Sequence, residues 1–296
     1  MKFTEFQLVP ELNESIEKAT FVECTPIQAV PIGPVLEGKD IAGLAQTGTG
    51  KTAAFLLPLM ERVLRSKTPI DTVPEDQRSL HTARSFPDWQ ENQFVLVLVP
   101  TRELAQQVYQ NFSQFKGSAK LRGAFVYGGT PYDQQRQILH QGVDFVVGTP
   151  GRLIDLYKEH LIDFRQVRAI VFDEADRMFD MGFKDDMKYV LNRVPKTRQF
   201  LVFCATLNFD VLNIAFQYGA HPIECDVSRD QATSENVEDT IYHVGSDEKP
   251  QYLLSIVKKL NPQQAIVFSN FKFNVGRVAG FLSQNGVPAM GISSLL

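Results

Sequence analysis

The sequence contains few cysteines, no long hydrophobic run and almost no excess of either charge. Its three cysteines, spread along the chain, exclude a disulfide framework and a zinc cluster, and they favour a reducing compartment. No apolar run approaches the roughly 20 residues that a membrane span needs, and Met1–Phe6 has no signal-peptide core. We therefore expect a cytoplasmic protein that has no membrane partner.

Charge and composition further limit the class of protein to which the chain can belong. With 30 Lys and Arg against 34 Asp and Glu, the net charge of the 296 residues is −4, so bulk positive charge cannot attract a nucleic acid. A local basic groove is compatible with this balance. Average Gly and Pro contents exclude collagen-like and low-complexity chains, and the length suits about two domains.

Short apolar runs alternate with amphipathic helical segments along most of the chain. The helix candidate Arg102–Phe115, for example, has Leu104, Val108 and Phe112 at helical spacing. Runs that are apolar at nearly every position are typical of parallel strands covered by helices on both faces. The predicted strands are Asp40–Leu44, Phe94–Val99, Gly123–Tyr127, Val143–Val147, Ala169–Phe172 and Phe200–Ala205.

Two segments interrupt this alternation. Thr68–Asn92, which contains three prolines and Trp89, is interpreted as a long exposed loop, either a solvated insertion or a docking loop for a partner. Ser228–Val237 is polar and has no hydrophobic period, which predicts an interdomain linker. The predicted organisation is an N-terminal domain at 1–227, this linker at 228–237 and a partial second domain at 238–296. The elements predicted in the second domain are strands Thr240–Val244 and Ala265–Ser269 and helices Lys249–Leu260 and Asn274–Asn285.

The strongest local pattern is AQTGTGKT at Ala45–Thr52, between a predicted strand and a helix. Glycines let the backbone fold around phosphate oxygens with inward N–H groups, and the helix N-terminus adds partial positive charge. Lys51 can reach the outer phosphates and the Thr52 hydroxyl can ligate Mg²⁺. The pattern usually begins with Gly rather than Ala, but it favours a nucleotide-binding loop over a plain Gly-rich turn. The predicted phosphate-binding residues are Gln46, Thr47, Gly48, Thr49, Gly50, Lys51 and Thr52.

An acidic motif follows the predicted strand Ala169–Phe172. Ligands of open α/β sheets bind at the carboxyl ends of strands, which places Asp173 to hold Mg²⁺. Glu174 lies next to it and can orient or deprotonate the water that attacks the γ-phosphate. An acidic first helical turn would also complement the helix dipole, but the combination with a phosphate loop favours catalysis. We therefore predict Lys51, Asp173 and Glu174 as the catalytic residues.

With these motifs, the chain resembles the DEAD-box ATP-dependent RNA helicases of superfamily 2. Residues 173–176 spell DEAD, and further motifs stand in family order: TPIQ at Thr25–Gln28, PTRELA at Pro100–Ala105, GG at Gly128–Gly129, TPGR at Thr149–Arg152, CAT at Cys204–Thr206 and IVFSN at Ile266–Asn270. The resemblance implies an α/β fold, in which a RecA-like P-loop domain with a parallel sheet covered by helices on both faces precedes a partial second RecA-like domain. It also implies ATP and Mg²⁺ as cofactors and RNA as the partner, and it leaves protein partners open.

The resemblance assigns adenine recognition to the N-terminal motif. By this likeness Gln28 would hydrogen-bond the adenine edge, because a primary amide donates and accepts at once. Phe3, at the spacing of the family's upstream aromatic residue, would pack on the ring, and Thr25 belongs to the same motif. Without the resemblance, Gln28 would be interpreted as a solvent-facing residue after a proline turn. Thr20 stands where the family usually has Gly, which affects a turn rather than the chemistry.

The resemblance also assigns RNA contacts, made mainly to the backbone and without reading sequence. Threonine hydroxyls, glycine N–H groups and arginine guanidiniums can bind phosphates and position a strand. Each of these residues also has an ordinary structural explanation, as a helix N-cap, a turn or a surface charge. The assigned residues are Thr101, Arg102, Gly129, Thr149, Gly151 and Arg152.

The motif at Cys204–Thr206 departs from the family, which usually begins it with Ser. In the family that hydroxyl helps to connect the DEAD carboxylates with the rest of the site, so the coupling residues here would be Asp176, Cys204 and Thr206. Because a thiol is a weak donor and acceptor, we hypothesise weaker coupling between hydrolysis and strand separation. The alternative is that Cys204 is simply a small residue buried at a strand end.

The chain stops at Leu296, before the family's motifs V and VI, and is interpreted as truncated within the second domain. Those motifs would bring arginines to the γ-phosphate, and an arginine finger alone is worth orders of magnitude in rate. We therefore expect nucleotide binding with slow turnover and little stimulation by RNA. The parent protein is expected to separate RNA strands locally or to remodel RNA–protein complexes. The alternatives are an ATP-gated RNA clamp or scaffold with little unwinding, and a P-loop ATPase that acts on DNA or protein.

Overall fold

The computed structural model describes residues 1–46, 48–128, 132–206, 209–227, 240–245 and 247–293. The chain divides into two compact units, residues 1–232 and 233–296. The predicted linker, Ser228–Val237, lies outside the described residues, and the predicted domain boundaries therefore stay predictions.

A parallel sheet forms the centre of the first unit. In the described residues its seven strands are β1 (Ile41–Leu44), β2 (Phe94–Leu98), β3 (Gly123–Val126), β4 (Phe145–Gly148), β5 (Val167–Asp173), β6 (Gln199–Cys204) and β7 (Ile223–Asp226). Their order is β3-β4-β2-β5-β6-β1-β7, and every neighbouring pair is parallel. The six predicted strands are confirmed to within two residues at each end. The sequence did not indicate β7, because only Cys225 is buried in this edge strand.

Helices cover both faces of this sheet. In the described part of the unit they are α1 (Pro10–Lys18), α2 (Pro26–Ala29), α3 (Ile32–Leu36), α4 (Lys51–Lys67), α5 (Arg78–Arg84), α6 (Arg102–Lys116), α7 (Tyr132–His140), α8 (Pro150–Lys158), α9 (Ala175–Asp180), α10 (Lys184–Leu191) and α11 (Phe209–Gln217). Because neighbouring side chains of a strand point to opposite faces, Val95 and Val97 of β2 pack with α1, α4 and α6, whereas Leu96 and Leu98 pack with α8, α10 and α11. This is the predicted RecA-like arrangement. None of the described helices is both long and apolar enough to cross a membrane.

The segment Thr68–Asn92 is largely exposed, as the sequence predicted, but it is folded rather than a plain loop. It contains α5 and short 3₁₀ turns, and it packs on α4. Phe86 is only 4% exposed, and its backbone N–H donates to the Ser66 hydroxyl of α4 at 2.7 Å. The sequence did not indicate this packing because the buried residues of the segment, Val73, His81 and Phe86, have no regular spacing.

The second unit has two helices within its described residues, α12 (Lys249–Leu260) and α13 (Lys272–Gln284), close to the predicted ones. The predicted strands Thr240–Val244 and Ala265–Ser269 are wrong, since neither segment forms a strand. A strand is stable only when neighbouring strands satisfy its backbone hydrogen bonds, and the described part of this unit contains no such neighbour. Phe268 is accordingly 91% exposed.

Candidate functional site

The predicted phosphate-binding loop connects β1 with α4. Gly48 and Gly50 have φ values of +83° and +96°, a left-handed region that glycine adopts without strain. Gly50 is the N-cap of α4 and Lys51 its first residue, so the lysine lies at the positive end of the helix dipole. Lys51 is 6% exposed, and its Nζ donates to the Ala45 carbonyl oxygen at 2.8 Å. Thr47 lies outside the described residues.

Hydrogen bonds from the N-terminal motif hold this loop. The Thr49 hydroxyl donates to the Gln46 carbonyl at 2.7 Å, and the Thr25 hydroxyl donates to the Thr49 carbonyl at 2.8 Å. The Gln28 Nε2 donates to the Gly50 carbonyl at 3.2 Å, while its Oε1 accepts from the Thr25 N–H at 2.9 Å. Gln28 is 1% exposed. Both ends of the amide that was expected to bind adenine are therefore engaged with the backbone.

Asp173 is the last residue of β5 and is 2% exposed. Its Oδ1 has no hydrogen-bond partner among the described residues. Burial raises the pKa of Asp173 to about 7; Lys51 acts in the opposite direction, and the carboxylates of Glu174 and Asp176 raise it further. A buried carboxyl group with an unpartnered oxygen and two acidic neighbours fits a divalent cation, which would satisfy that oxygen and offset the charge.

Glu174 is the N-cap of α9 and has a φ of +54°, a conformation that costs a non-glycine residue about 1–2 kcal/mol. Its Oε2 accepts from the Arg177 Nη1 at 3.1 Å. The turn and this ion pair hold the carboxylate immediately after the end of β5. Backbone strain of this kind is concentrated at positions where an active-site group must be kept in place.

One cleft brings the loop and the acidic motif together. It encloses about 200 Å³ and is lined by residues from the carboxyl ends of β1 and β5. Its lining includes the predicted residues Gln28, Gly48, Gly50, Lys51, Thr52, Asp173 and Glu174. A lysine, a hydroxyl group and two carboxyl groups thus meet in a space that can accept a phosphate chain and a cation.

The aromatic residues in the wall of this cleft are Phe21 and Phe115 rather than Phe3. Phe3 is 2% exposed, and its ring meets Phe21 edge-on with the ring centroids 6.0 Å apart. Phe21 is half-buried and lines the cleft, and its ring packs on Phe115 at 5.7 Å. Sequence reasoning overlooked Phe21, although it lies only four residues before Thr25 in the same motif.

Asp176 connects the acidic motif with the end of β6. Its Oδ2 accepts from the Ala205 N–H at 3.1 Å, from the Thr206 N–H at 2.9 Å and from the Thr206 hydroxyl at 3.1 Å. Cys204 is fully buried, and its thiol makes no hydrogen bond to any described residue. Burial, reinforced by Asp176, raises the pKa of this thiol to about 12. The connection is made by Thr206 and two backbone N–H groups, without the thiol.

Two of the expected RNA-binding residues are N-caps at the carboxyl edge of the sheet. Thr101 precedes α6 and accepts from the Leu104 N–H at 3.3 Å, whereas the hydroxyl of Thr149, before α8, makes no capping bond. Arg102 is exposed, and its guanidinium lies 5.0 Å from the centroid of the Tyr127 ring. The Thr149 hydroxyl and the Arg102 guanidinium are thus available at this edge.

The remaining expected RNA-binding residues are placed differently. Arg152 is 9% exposed, and its Nε donates to the Gln135 Oε1 at 2.9 Å, so it lies inside the domain. Gly151 is exposed, and a Cβ at that position would meet nothing within 4 Å. Gly129 lies outside the described residues. The RNA contacts of these three residues stay predictions, and the burial of Arg152 against Gln135 was not foreseen from the sequence.

Comparisons with known proteins agree with this geometry. The sequence profile of the DEAD/DEAH box helicases matches residues 25–214. The chain is 42% identical over 287 residues to a Xanthomonas oryzae pv. oryzae protein named ATP-dependent RNA helicase RhlB, which covers 96% of this chain and 47% of that protein. A protein of the same name from Shewanella sp. strain W3-18-1 is 37% identical, with 96% of this chain and 62% of that protein covered. The chain therefore spans about half the length of the first relative and less than two thirds of the second.

A solved structure shows a similar fold. It is that of a DEAD box protein from the hyperthermophile Methanococcus jannaschii, with a TM-score of 0.65 and 29% sequence identity. The likeness covers 98% of this chain and 72% of that one.

Proposed function

This chain belongs to the DEAD/DEAH box helicase family, and from that premise we propose that its protein is an ATP-dependent RNA helicase that separates strands locally or remodels RNA–protein complexes. One observation carries the proposal: Lys51, Asp173 and Glu174 share a cleft in which a buried carboxylate oxygen has no partner within the described part of the chain. Two relatives named as ATP-dependent RNA helicases support it. The proposed cofactors are ATP and Mg²⁺, and the proposed partner is RNA.

Each of the cleft residues is assigned a separate role in phosphate binding or hydrolysis. In the proposed complex Lys51 leaves the Ala45 carbonyl and binds the outer phosphates, while Thr52 and Asp173 hold Mg²⁺, which offsets the phosphate charge. Glu174 orients the attacking water and accepts its proton. The support for these roles is the position of all four residues at one edge of the sheet.

Adenine recognition is assigned to the remaining donor and acceptor of the Gln28 amide. Its Nε2 has a second N–H and its Oε1 a second lone pair beside the bonds to Gly50 and Thr25, so one side chain can hold the loop and bind the adenine edge, which would couple the two. We assign stacking on the base to Phe21, which lines the cleft, and a supporting role to Phe3, which packs behind it.

RNA binding is assigned to the other half of the same sheet edge, at the ends of β2, β3 and β4. Thr101, Arg102 and Thr149 contribute hydroxyl and guanidinium groups there, and they suit backbone contacts that do not read sequence. The Asp176–Thr206 link connects the acidic motif to the end of β6. We propose that ATP and RNA together favour a closed state, which bends one strand so that its partner leaves, and that hydrolysis reopens it.

A finer proposal is that the 296-residue chain binds adenine nucleotide but turns it over slowly. The sequence contains no match to the family motifs that bring arginines to the γ-phosphate, and an arginine finger is worth about 10³–10⁵ in rate. The test is the ATPase rate with and without single-stranded RNA, double-stranded RNA and DNA, alongside calorimetry with Mg·ADP. We expect ADP binding, a slow rate and little stimulation by RNA.

The outcomes of that test separate the alternatives. RNA-stimulated turnover close to that of the full-length Xanthomonas relative would refute slow turnover, and a flat titration with Mg·ADP would refute the nucleotide site. Greater stimulation by DNA than by RNA would favour a DNA-directed ATPase. Long RNA residence without strand displacement would favour the RNA clamp or scaffold.

Mg·ADP binding is expected to weaken as the pH falls below about 7. Burial raises the Asp173 pKa from 3.8 to about 7, and a cation must displace that proton, so affinity should fall by up to about tenfold per pH unit below the pKa.

Because the folded chain binds this proton more tightly than the unfolded chain does, the free energy of unfolding without ligand should fall as the pH rises from 3.8 to about 7. The control is calorimetry of Asp173→Asn at the same pH values. This variant lacks the titrating carboxyl group, whereas the phosphates of ADP still titrate. If the affinity for Mg·ADP changed with pH equally in both proteins, the assignment of the cation to Asp173 would be wrong.

The proposed compartment is the cytoplasm. The three cysteines, Cys24, Cys204 and Cys225, are free thiols, as a reducing environment maintains them. Burial raises the pKa of each of them, to about 11 for Cys24 and about 12 for Cys204, which keeps them protonated and unreactive.

A further inference from the structure

A second cavity, of about 730 Å³, lies at the opposite edge of the sheet from the phosphate loop. Its lining includes Gly38 before β1, Arg168 near the start of β5 and Gln199 at the start of β6, which are all at the amino ends of strands. The remainder of its wall comes from α4 and from the folded segment Thr68–Asn92. Neither the nucleotide site nor the RNA-facing edge uses any of these residues.

Four arginines line this cavity, and within the described residues only Arg65 has an acidic partner, Glu61 at 2.5 Å. Arg62, Arg168 and Arg198 line it, and none of them forms an ion pair with a carboxylate among the described residues. Arg62 is 5% exposed and donates to the Leu36 carbonyl at 2.8 Å, while Arg198 is 6% exposed and donates to the Tyr218 carbonyl at 2.8 Å. Carbonyl groups satisfy some of the N–H donors but do not neutralise the charge.

The pKa of Arg62 also indicates an excess of positive charge in the cavity wall. Burial, followed by repulsion from Arg168, lowers the pKa of Arg62 to about 10. Two carboxylates, Glu37 and Asp88, also line the cavity, but both are exposed and pair with none of the described arginines. Burial lowers the pKa of Arg198, and the charge of Asp40 acts in the opposite direction. An anion bound between the guanidiniums would remove this repulsion.

The wall also holds polar atoms that have no partner. The Nε atoms of Arg62 and Arg198 and the Oε1 of Gln199 are buried and make no hydrogen bond within the described part of the chain. All three side chains are more than nine-tenths buried. These three atoms have almost no accessible surface, so a ligand in the cavity would not reach them directly, but the guanidinium group as a whole is especially suited to phosphate.

An aromatic pair completes the cavity. The half-buried Trp89 lines it, with its ring centroid 5.6 Å from that of Phe86 and the two planes at 30°. The Arg62 guanidinium lies over the other aromatic ring, 4.3 Å from the Phe86 centroid. A volume of this size is typical of small-molecule sites, whereas an RNA strand would need an extended basic track.

We infer that this cavity binds a small organic phosphate of about nucleotide size. The phosphate lies between the guanidiniums of Arg62, Arg168 and Arg198, and a ring of the ligand packs against Trp89. The site is separate from the phosphate loop, so it can be occupied whether or not the loop holds nucleotide.

The single tryptophan of the chain makes the test specific, because Trp89 reports on this cavity alone. AMP is titrated into the 296-residue protein while tryptophan fluorescence is followed, with adenosine and ribose 5-phosphate as probes that lack the phosphate or the base. We expect saturable quenching by AMP. Adenosine should bind about tenfold or more weakly, since it loses the charged hydrogen bonds, and ribose 5-phosphate should bind with little quenching.

Arg168→Gln is the diagnostic variant and Arg165→Gln its matched control. Arg168 is half-buried in the cavity wall, whereas Arg165 has an 81% exposed side chain that pairs with Asp163 outside it, so both variants lose one charge from the same region. Arg168→Gln should raise the Kd for AMP about tenfold or more, and Arg165→Gln should leave it unchanged.

Four results would overturn the inference. The first is the absence of saturable quenching by AMP, and the second is an equal Kd in the two arginine variants. The third is quenching that is lost in Lys51→Ala but kept in Arg168→Gln, which would assign the signal to the phosphate loop. A short RNA that displaces AMP with higher affinity would reassign the cavity to RNA.

Discussion

Glu174→Gln is expected to slow ATP hydrolysis by about 10²–10⁴-fold while leaving the affinity for Mg·ADP nearly unchanged. The amide keeps the shape of the side chain but cannot accept a proton from the attacking water. Asp173 and Lys51, to which we assign the cation and the phosphates, stay in place. Losing the ion pair with the half-exposed Arg177 costs little, since such surface pairs contribute about 0–1 kcal/mol. Single-turnover hydrolysis at saturating Mg·ATP measures the effect, and calorimetry measures binding.

Glu159→Gln is the matched control for this change. Glu159 also pairs with an arginine, Arg136, at 3.0 Å, but it lies on the surface after α8 and does not line the cleft. Its hydrolysis rate should equal that of the wild type. Hydrolysis by Glu174→Gln at the wild-type rate would assign the base elsewhere, and a loss of ADP binding would indicate a structural role for Glu174.

Lys51→Ala is expected to weaken Mg·ADP binding by about tenfold to a hundredfold, because a charged donor to the phosphates is worth about 1.5–3 kcal/mol. A second effect adds to the first. Lys51 lowers the pKa of Asp173, so its removal keeps that carboxyl group protonated to a higher pH and opposes cation binding. The loss of affinity should therefore be larger at neutral than at alkaline pH, which calorimetry at the two conditions measures.

Lys39→Ala removes the same charge from an exposed lysine just before β1 and is the control. Its affinity for Mg·ADP should match that of the wild type at both pH values. Equal affinities in Lys51→Ala and Lys39→Ala would mean that the loop does not hold the phosphates.

The sheet of the first unit could be predicted because its strands are buried on both faces. Phe94–Leu98 is apolar at every position, which a parallel strand between two helical layers requires. Apolar content did not reveal β7, because three residues of this edge strand are exposed. It also misled at Ile266 and Phe268, where the apolar run has no neighbouring strand within the described part of its unit. A local pattern reports what a strand would bury, not whether a partner is present to pair with it.

The sequence predicted which residues form the site, but not which hydrogen bonds those residues make. The positions of Lys51 and Asp173 follow from a glycine-rich turn and from the end of a buried strand. The engagement of Gln28 with the Gly50 carbonyl and the burial of Arg152 against Gln135 depend on long-range contacts that no spacing encodes. The hypothesis about Cys204 stays open, although Asp176 is bonded through Thr206 and backbone N–H groups rather than through the thiol.

The hydrogen bonds that Lys51 and Gln28 make to the carbonyls of Ala45 and Gly50 have a consequence for the working cycle. A loop that satisfies its own cation and amide acts as an internal competitor for its ligand. In the proposed cycle, an arriving nucleotide that takes these donors would replace the bonds, and they would re-form when it leaves. This competition would lower the affinity for nucleotide and favour release of the spent nucleotide.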